Sequence, residues 1–402
     1  MITKSIYPVT RIEADGKLVL HVNDEDVIIK GFFYPFMPIR GFERMLIGKT
    51  LEFLPVGAMR ICGVCHITHG IAAVEAAENA LGVIPPENGL ILREIAGLGN
   101  RLQSHALHML FLYKDFFEGN DKLLRDIFNM LECAGEIVKI SGHSPVHPPN
   151  VCVGGMRRNI SEKGKEEIER NAIKYKNLME KLENLLKEIL EKMVDENKIP
   201  KNLGNVNLPL LATHPYYGDR EEIDLLDLNV VPPEKYYDVK EIRGETGATV
   251  VLYRNELTEV GPKARMKKFF KFSSNLPLMV NITYMEDAIK GCERIIELCD
   301  LLNVSSPTKA TVSSKNGRGV GVHEAPRGTN IHVVKLRDDG IIVDYRIIVP
   351  TMFNLAVIDT ALIGAPYSYA EVIVRSYDPC LSCATHVTVI KDGVVKNIGV
   401  MQ

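Results

Sequence analysis

Two Cys-x-x-Cys pairs lie near opposite ends of the chain. Cys62 and Cys65 sit in Arg60-Ile-Cys-Gly-Val-Cys-His66, and Cys380 and Cys383 in Asp378-Pro-Cys-Leu-Ser-Cys-Ala-Thr-His386. Each pair can present two thiolates from one tight turn to one metal ion. If the pairs converge, they tie both ends of the fold together. Cys65 and Cys380 are 315 positions apart, whereas the pairs of a small zinc module are separated by ~15–20 residues. The spacing therefore argues against a small zinc ribbon. A four-sulfur zinc site in a larger fold and a thiolate-rich catalytic metal both remain open. The flanking residues favour the second. Arg60, His66, Asp378 and His386 have no use at a structural zinc, whereas a site that handles protons and charged ligands needs such groups. Gly63 and Ser382, inside the pairs, allow backbone or ligands to come close.

The 402 residues carry a net charge of −3, with 46% hydrophobic and 25% charged residues. That balance gives ample material for a large core and no strong pull toward nucleic acid or anionic membrane. No uninterrupted apolar run reaches the ~18 residues of a spanning helix. The N-terminus reads as strand, without a charged-then-apolar signal, so a soluble, cytoplasmic protein is expected. Eight cysteines are too few for a disulfide scaffold. Cys133, Cys152, Cys292 and Cys299 stand in apolar surroundings and are expected to be buried.

Residues 7–33 alternate in strand style around the polar run 23–26. A short helix is predicted over 41–49 and another over 68–81. Residues 91–140 contain no proline and give two long helices broken near 119–121, stopped by the prolines of 143–149. A third long helix runs from Ser161 to about Asn197, with Leu178, Leu182, Leu185, Leu186, Ile189 and Met193 on one face. Residues 200–260 are turn-rich. Tyr284 to Leu302 reads as helix, 331–336 and 341–349 as a hairpin around 338–340, and 353–363 and 367–376 as helices. The fold class is α+β, predominantly helical, with a helix-bundle core and peripheral β-hairpins. Residues 1–386 are expected to form one interwoven unit.

In order along the chain, Thr10-Arg-Ile-Glu13, Arg40-Gly-Phe-Glu43, Arg60 to Cys65 with His69, His323-Glu-Ala-Pro-Arg-Gly328, Val349-Pro-Thr-Met-Phe-Asn354 and Asp378 to His386 resemble the six boxes of the large, catalytic subunit of [NiFe]-hydrogenases. The resemblance runs nearly end to end. It departs at Ala14-Asp15, where most relatives have Gly-His, and at Phe353, where a tryptophan is common.

The resemblance implies a nickel held terminally by Cys62 and Cys380, with Cys65 and Cys383 bridging it to an iron that carries carbon monoxide and cyanide. Cys380 would take a proton from dihydrogen and pass it to Glu13. Arg327 would lie over the open position and hydrogen-bond a cyanide, with Asp378 fixing its orientation. Pro326 and Thr351 would line the pocket of the diatomic ligands. Glu43 and His386 would hold a magnesium or iron ion, completed by a carbonyl near Ile347. His105 and His108 read equally as site or core residues; His143, His147 and Gly154-Gly155 read as scaffold. The tail, 387–402, would be removed by a maturation endopeptidase.

Within that family, Ala212 to Asp219, His147 to Asn150 and Gly321 to Asn330 look most like the hydrogenases that reduce coenzyme F420. The likeness implies a small iron–sulfur subunit, a flavin (FAD) subunit that reduces F420, a higher oligomer and no nucleic-acid partner. The alternatives are a viologen-type hydrogenase that does not use F420, a redox-silent relative and a structural four-cysteine zinc protein.

Overall fold

A computed structural model of the chain describes residues 2–385, 390–391 and 394–395. The N-terminal alternation becomes an antiparallel meander of β1 (Ile2–Val9), β2 (Gly16–Val22) and β3 (Ile28–Pro35). The Asn23 side chain accepts from the Glu25 and Val27 N–H groups and so closes the second turn. Two short helices, α1 (Phe42–Leu46) and α2 (Phe53–Met59), lead to the first cysteine pair. Helix α3 (His66–Leu81) starts directly after Cys65 and ends at Gly82, whose φ of 63° suits glycine.

The long helices follow as α4 (Glu87–Phe116) and α5 (Asp121–Gly142), then α6 (Glu162–Asp195) after the small hairpin of β4 (Val151–Cys152) and β5 (Gly155–Met156). Ser161 caps α6 by accepting from the Gly164 N–H at 3.1 Å. The turn-rich stretch holds β6 (Leu210–Leu211), β7 (Leu228–Val231), α7 (Pro233–Tyr236), β8 (Val250–Tyr253) and β9 (Glu259–Val260). It leads into α8 (Pro262–Phe270) and α9 (Val280–Leu301). A second antiparallel sheet follows, of β10 (Gly317–Ala325), β11 (Gly328–Leu336) and β12 (Ile342–Ile348). Helices α10 (Pro350–Leu362), α11 (Ala370–Ser376) and α12 (Leu381–Ala384) carry the second cysteine pair. Beyond it, β13 (Ile390–Lys391) pairs with β14 (Val394–Val395).

Helices α4, α5, α6 and α9 form the bundle. On α6 the buried positions Ile168, Ala172, Tyr175, Met179, Leu182, Leu186 and Leu190 recur every three or four residues, as an apolar stripe requires. The Tyr175 hydroxyl donates to the Leu102 carbonyl at 2.8 Å and fixes α6 on α4. The four isolated cysteines are all buried. No helix among the described residues is long and apolar enough to cross a membrane.

The chain's ends are hydrogen-bonded to each other. Ile28 N–H donates to the Ala365 carbonyl, Gly364 N–H to that of Ile28, and Phe33 N–H to Asp359. Arg11 and Arg375 share Asp115 at 2.8 and 2.9 Å.

The α+β, mainly helical expectation stands. Helix α3 begins at His66 rather than Thr68, and α9 at Val280 rather than Tyr284. Helices α2, α8 and α12, the β4–β5 hairpin and strand β10 are among the elements not foreseen. Strand β10 carries Gly317, Gly319 and Gly321, a spacing that weakens any strand signal. The glycines are there because the backbone of α3 lies against them: a Cβ at each would overlap the backbone of Ala80, Ala76 or Ala72. The contact sets α3, and with it Cys65, firmly on the sheet that carries Arg327.

Gly319→Ala is therefore expected to destabilise the chain by about 3 kcal/mol, because neither backbone can retreat. Gly135→Ala on α5, where an added Cβ meets only the Gln103 side chain, should leave stability unchanged or raise it by up to about 1 kcal/mol. Urea unfolding of both variants checks the pair.

Candidate metal centre

The two cysteine pairs converge. Sγ of Cys62 lies 3.3 Å from that of Cys380, and Cys65 Sγ lies 3.3 Å from Cys383 and 4.0 Å from Cys380. Cys380 and Cys383 are 2.8 Å apart, without a disulfide. All four sulfurs lie within 4.8 Å of one another and are buried. The first pair is set by the turn into α3. Val64 and Cys65 N–H groups donate to Cys62 Sγ at 3.2 and 3.4 Å, and Cys65 stands at the positive end of a 16-residue helix. The second pair flanks the first turn of α12.

Four thiols at this distance cannot all ionise unaided. Burial, followed by the neighbouring sulfurs, pushes the Cys380 thiol far above its usual range, and burial does the same to Cys383. Hydrogen bonds from Cys380, Cys383 and Cys65 hold Cys62 well below it. The four sulfurs thus titrate as one coupled group, with Cys62 the most readily ionised. Soft divalent metals would remove that restriction, which is how this donor set fits a nickel–iron centre.

Arg40 joins the two cysteine loops. Its guanidinium donates to the Ile61 carbonyl and, at 3.2 and 3.3 Å, to those of Ser382 and Arg60. Its own N–H donates to the Thr385 carbonyl at 2.7 Å. Thr351 Oγ1 accepts from the Cys380 N–H at 3.0 Å, which leaves its hydroxyl hydrogen to donate. Behind the second pair, His69 Nε2 lies 3.4 Å from Cys383 Sγ. Its Nδ1 meets His332 Nε2 at 3.0 Å, and His332 Nδ1 meets the Tyr345 hydroxyl at 2.6 Å.

Arg327 is 3% exposed. Its Nη2 lies 2.9 and 2.8 Å from the two carboxylate oxygens of Asp378, its Nε donates to the Asp378 carbonyl, and its Nη1 to Ser104 Oγ at 3.0 Å. Asp378 itself is held at a φ of 46°, a costly conformation for a residue with a side chain. Glu13 forms a backbone bridge with Cys380, and its carboxylate accepts from the Ser382 N–H at 2.9 Å and from the Ser382 hydroxyl. Burial first, then the charge on Cys62, raises the Glu13 carboxyl above its ordinary range. Ala14, next to it, takes a φ of 66°, a conformation better suited to the glycine common in relatives.

A small cavity abuts the sulfurs, lined by Cys65, Cys380, Cys383, Arg327, Thr351 and Asn330, with Thr68, His69, Ala325 and Pro350 completing the wall. Pro350 belongs to this wall, and Pro326, expected there, lies between its Ala325 and Arg327. Pro326 and Arg327 form the tip of the turn between β10 and β11, and the Pro326 carbonyl accepts from Arg265 at 3.3 Å. Glu43 is 3% exposed. Its Oε1 accepts from the Ile347 N–H at 2.8 Å, while Oε2 has no partner among the described residues. Burial pushes this carboxyl up to about 7, and a cation there would reverse the shift. His386 lies outside the described residues. His105 is a core residue bonded to Asp287 at 2.8 Å, and His108 meets Asn281 at 3.1 Å. Arg40 and Ser382 lie inside the boxes but carry no expected bonding role there, and Asn330 and His332 carry none; their contacts appear only in the fold.

Residues 40–118 and 273–386 match the family of nickel-dependent hydrogenases. The alpha subunit of coenzyme F420 hydrogenase from Methanocaldococcus jannaschii is 41% identical, across 98% of this chain and 96% of its own. The corresponding chain of the F420-non-reducing vhc hydrogenase from Methanococcus voltae is 29% identical, across 99% and 98%. The Ni-Fe-Se hydrogenase of D. vulgaris Hildenborough shares the fold with a TM-score of 0.79 at 23% identity, covering 96% of this chain and all of that one. An NAD+-reducing [NiFe]-hydrogenase gives 0.81 at 21%, with the same coverage.

Asp378→Ala would leave the Arg327 guanidinium buried without its carboxylate. A loss of about 3–5 kcal/mol in unfolding free energy is expected. Asp378→Asn, which keeps an acceptor, should lose less; urea unfolding of both compares them.

Proposed function

The chain belongs to the nickel-dependent hydrogenases, as their large catalytic component and so an oxidoreductase acting on dihydrogen, and from that premise we propose that its electrons pass through iron–sulfur and flavin (FAD) partner subunits to coenzyme F420. The observation that carries the acceptor is the 41% identity, nearly end to end, to the alpha chain of a coenzyme F420 hydrogenase, against 29% to an F420-non-reducing one. That these relatives are named as subunits supports partners that hold the remaining carriers. A viologen-type hydrogenase feeding another acceptor is the competing reading.

Cys62, Cys65, Cys380 and Cys383 would together hold the nickel and the iron. When bound, the nickel and the iron, with its carbon monoxide and cyanide, supply the Lewis-acid and redox chemistry that splits dihydrogen heterolytically. The chain's own residues do the rest. Cys380 Sγ takes the proton and passes it to Glu13, whose raised carboxyl and bonds to Ser382, on the same turn, suit it to hold a proton briefly. Arg327, fixed by Asp378 and Ser104, offers its remaining N–H groups to the cavity. Thr351 offers its hydroxyl. Both are donors suited to anionic cyanide. Glu43, with its unpartnered oxygen, would bind magnesium or iron together with His386. Residues 1–386 would form the working unit, and 387–402 would be removed by an endopeptidase.

The test is to purify the chain with its native partners, quantify nickel and record the infrared spectrum. About one nickel per chain, carbon monoxide and cyanide bands, and dihydrogen-dependent reduction of F420 are expected. Bands and viologen reduction without F420 reduction would favour the competing acceptor. Zinc without nickel, and no bands, would overturn the catalytic reading.

The cation site gives a pH prediction. Glu43 is held near 7 in the fold, against an ordinary 4.5. Between those values the folded chain keeps a proton that the unfolded chain has lost. Its contribution to stability is thus present below 4.5 and declines as pH rises toward 7. A bound cation replaces the proton and flattens the decline. Thermal unfolding across that window should show a slope that magnesium reduces in the native chain, whereas Glu43→Gln should have a smaller slope that magnesium leaves unchanged.

A further inference from the structure

Asn330 lies on β11, 1% exposed, and its side chain lines the cavity against the sulfurs. Its neighbours in that wall have settled partners. Thr68 Oγ1 donates to the Cys65 carbonyl at 2.7 Å, His69 is held between His332 and Cys383, and Arg327 lies on Asp378 and Ser104. The Asn330 amide makes one long bond, from Nδ2 to the Thr68 carbonyl at 3.4 Å, and its Oδ1 has no partner among the described residues. A buried amide left this far short of its four hydrogen bonds costs about 1–3 kcal/mol, and an apolar residue of the same size would avoid that cost. Such a group in a native core calls for a further partner, and an acceptor occupying the cavity would take the second Nδ2 hydrogen.

The occupant has to be small, because the wall closes tightly around the cavity. It also has to be an acceptor at its outer end. Arg327 has N–H groups beyond those bound to Asp378 and Ser104, and Thr351 has a hydroxyl hydrogen to give. Asn330 has a second Nδ2 hydrogen beyond its Thr68 bond. Three donors from three separate elements therefore surround one space.

We propose that Asn330 is a third hydrogen-bond donor to the diatomic ligands of the metal centre, tuning one of them, in addition to Arg327 and Thr351. The inference rests on the nickel–iron reading of the cysteine site. A donor at the outer atom of a bound carbon monoxide or cyanide changes the electron density that the ligand draws from the metal. Its stretching frequency reports the contact directly, whether or not turnover changes. Asn330 is a positioning and tuning residue here; the proton path does not pass through it.

The experiment is infrared spectroscopy of the partner-containing complex, native and Asn330→Leu, with nickel and iron quantified in each. Leucine keeps the shape and removes the amide. One stretching band is expected to shift in the variant while the others hold their positions, at unchanged metal content. Metals and bands present with every band unmoved would overturn the proposal and leave the metal centre standing. Bands missing from the native complex would instead overturn the metal-centre reading on which it rests. Should Asn330→Leu fail to load metal, Asn330→Ala, which relieves all crowding, provides the same readout. A shift of one band supports the contact, and no shift overturns it.

Discussion

Four buried sulfurs within 4.8 Å are electrostatically intolerable as thiolates and unrewarding as thiols. Everything around them serves to hold them in that arrangement until a cation relieves it. The two pairs come from chain ends that contribute little to each other locally, so convergence depends on contacts elsewhere. Arg40 contributes most directly, because one guanidinium spans the Ile61 and Ser382 carbonyls, one from each loop. The Glu13–Cys380 bridge and the Asp115 pair of arginines add long-range ties of the same kind.

The glycine strand is the mechanical counterpart. Packing β10 directly on the α3 backbone removes the side-chain layer that would normally separate a helix from a sheet. Cys65 at the start of α3 and Arg327 in the tight turn that closes β10 on β11 are thereby brought to one cavity by two rigid elements with little freedom to slide. Sites built on such elements are held more narrowly than sites on loops. This bears on a centre whose ligands have to meet sulfur, guanidinium and hydroxyl at once.

Legibility in the sequence followed the same physics. The Arg327–Asp378 partnership came only with the family resemblance, whereas cysteine pairs and the long amphipathic helices could be read because each depends on residue type or period. Strand β10 could not: its glycines exist for a helix whose Asn79 meets Val320 across 241 positions, and in isolation they read as loop. The box that holds Pro326 identifies the turn but does not say which of its residues meet the cavity, as Ala325 and Arg327 do. Asn330 carries no local signal at all, because its unmet hydrogen bonds are visible only once the wall closes around it.

The charge network behind the wall explains why the Glu-Ala-Pro-Arg-Gly run is so distinctive. Arg265 donates to Glu324, to the Ala325 carbonyl and to the Pro326 carbonyl, at 3.1, 3.0 and 3.3 Å. Thr213 and Thr329 satisfy the other Glu324 oxygen. Burial opposes the charge on Asp287, yet Arg265 and Arg101 hold its carboxyl far below the usual range. Buried ions of this number are weak stabilisers, since apolar side chains of equal volume would serve as well. What they supply is orientation. Each successive carbonyl before Arg327 is fixed by a charged donor, so the guanidinium leaves the turn in one direction only. Preorganised donors of that kind lower a barrier because they need no rearrangement when charge develops. A single Arg265 serves three successive residues of the run, so the direction in which Arg327 leaves the turn rests on that one buried side chain.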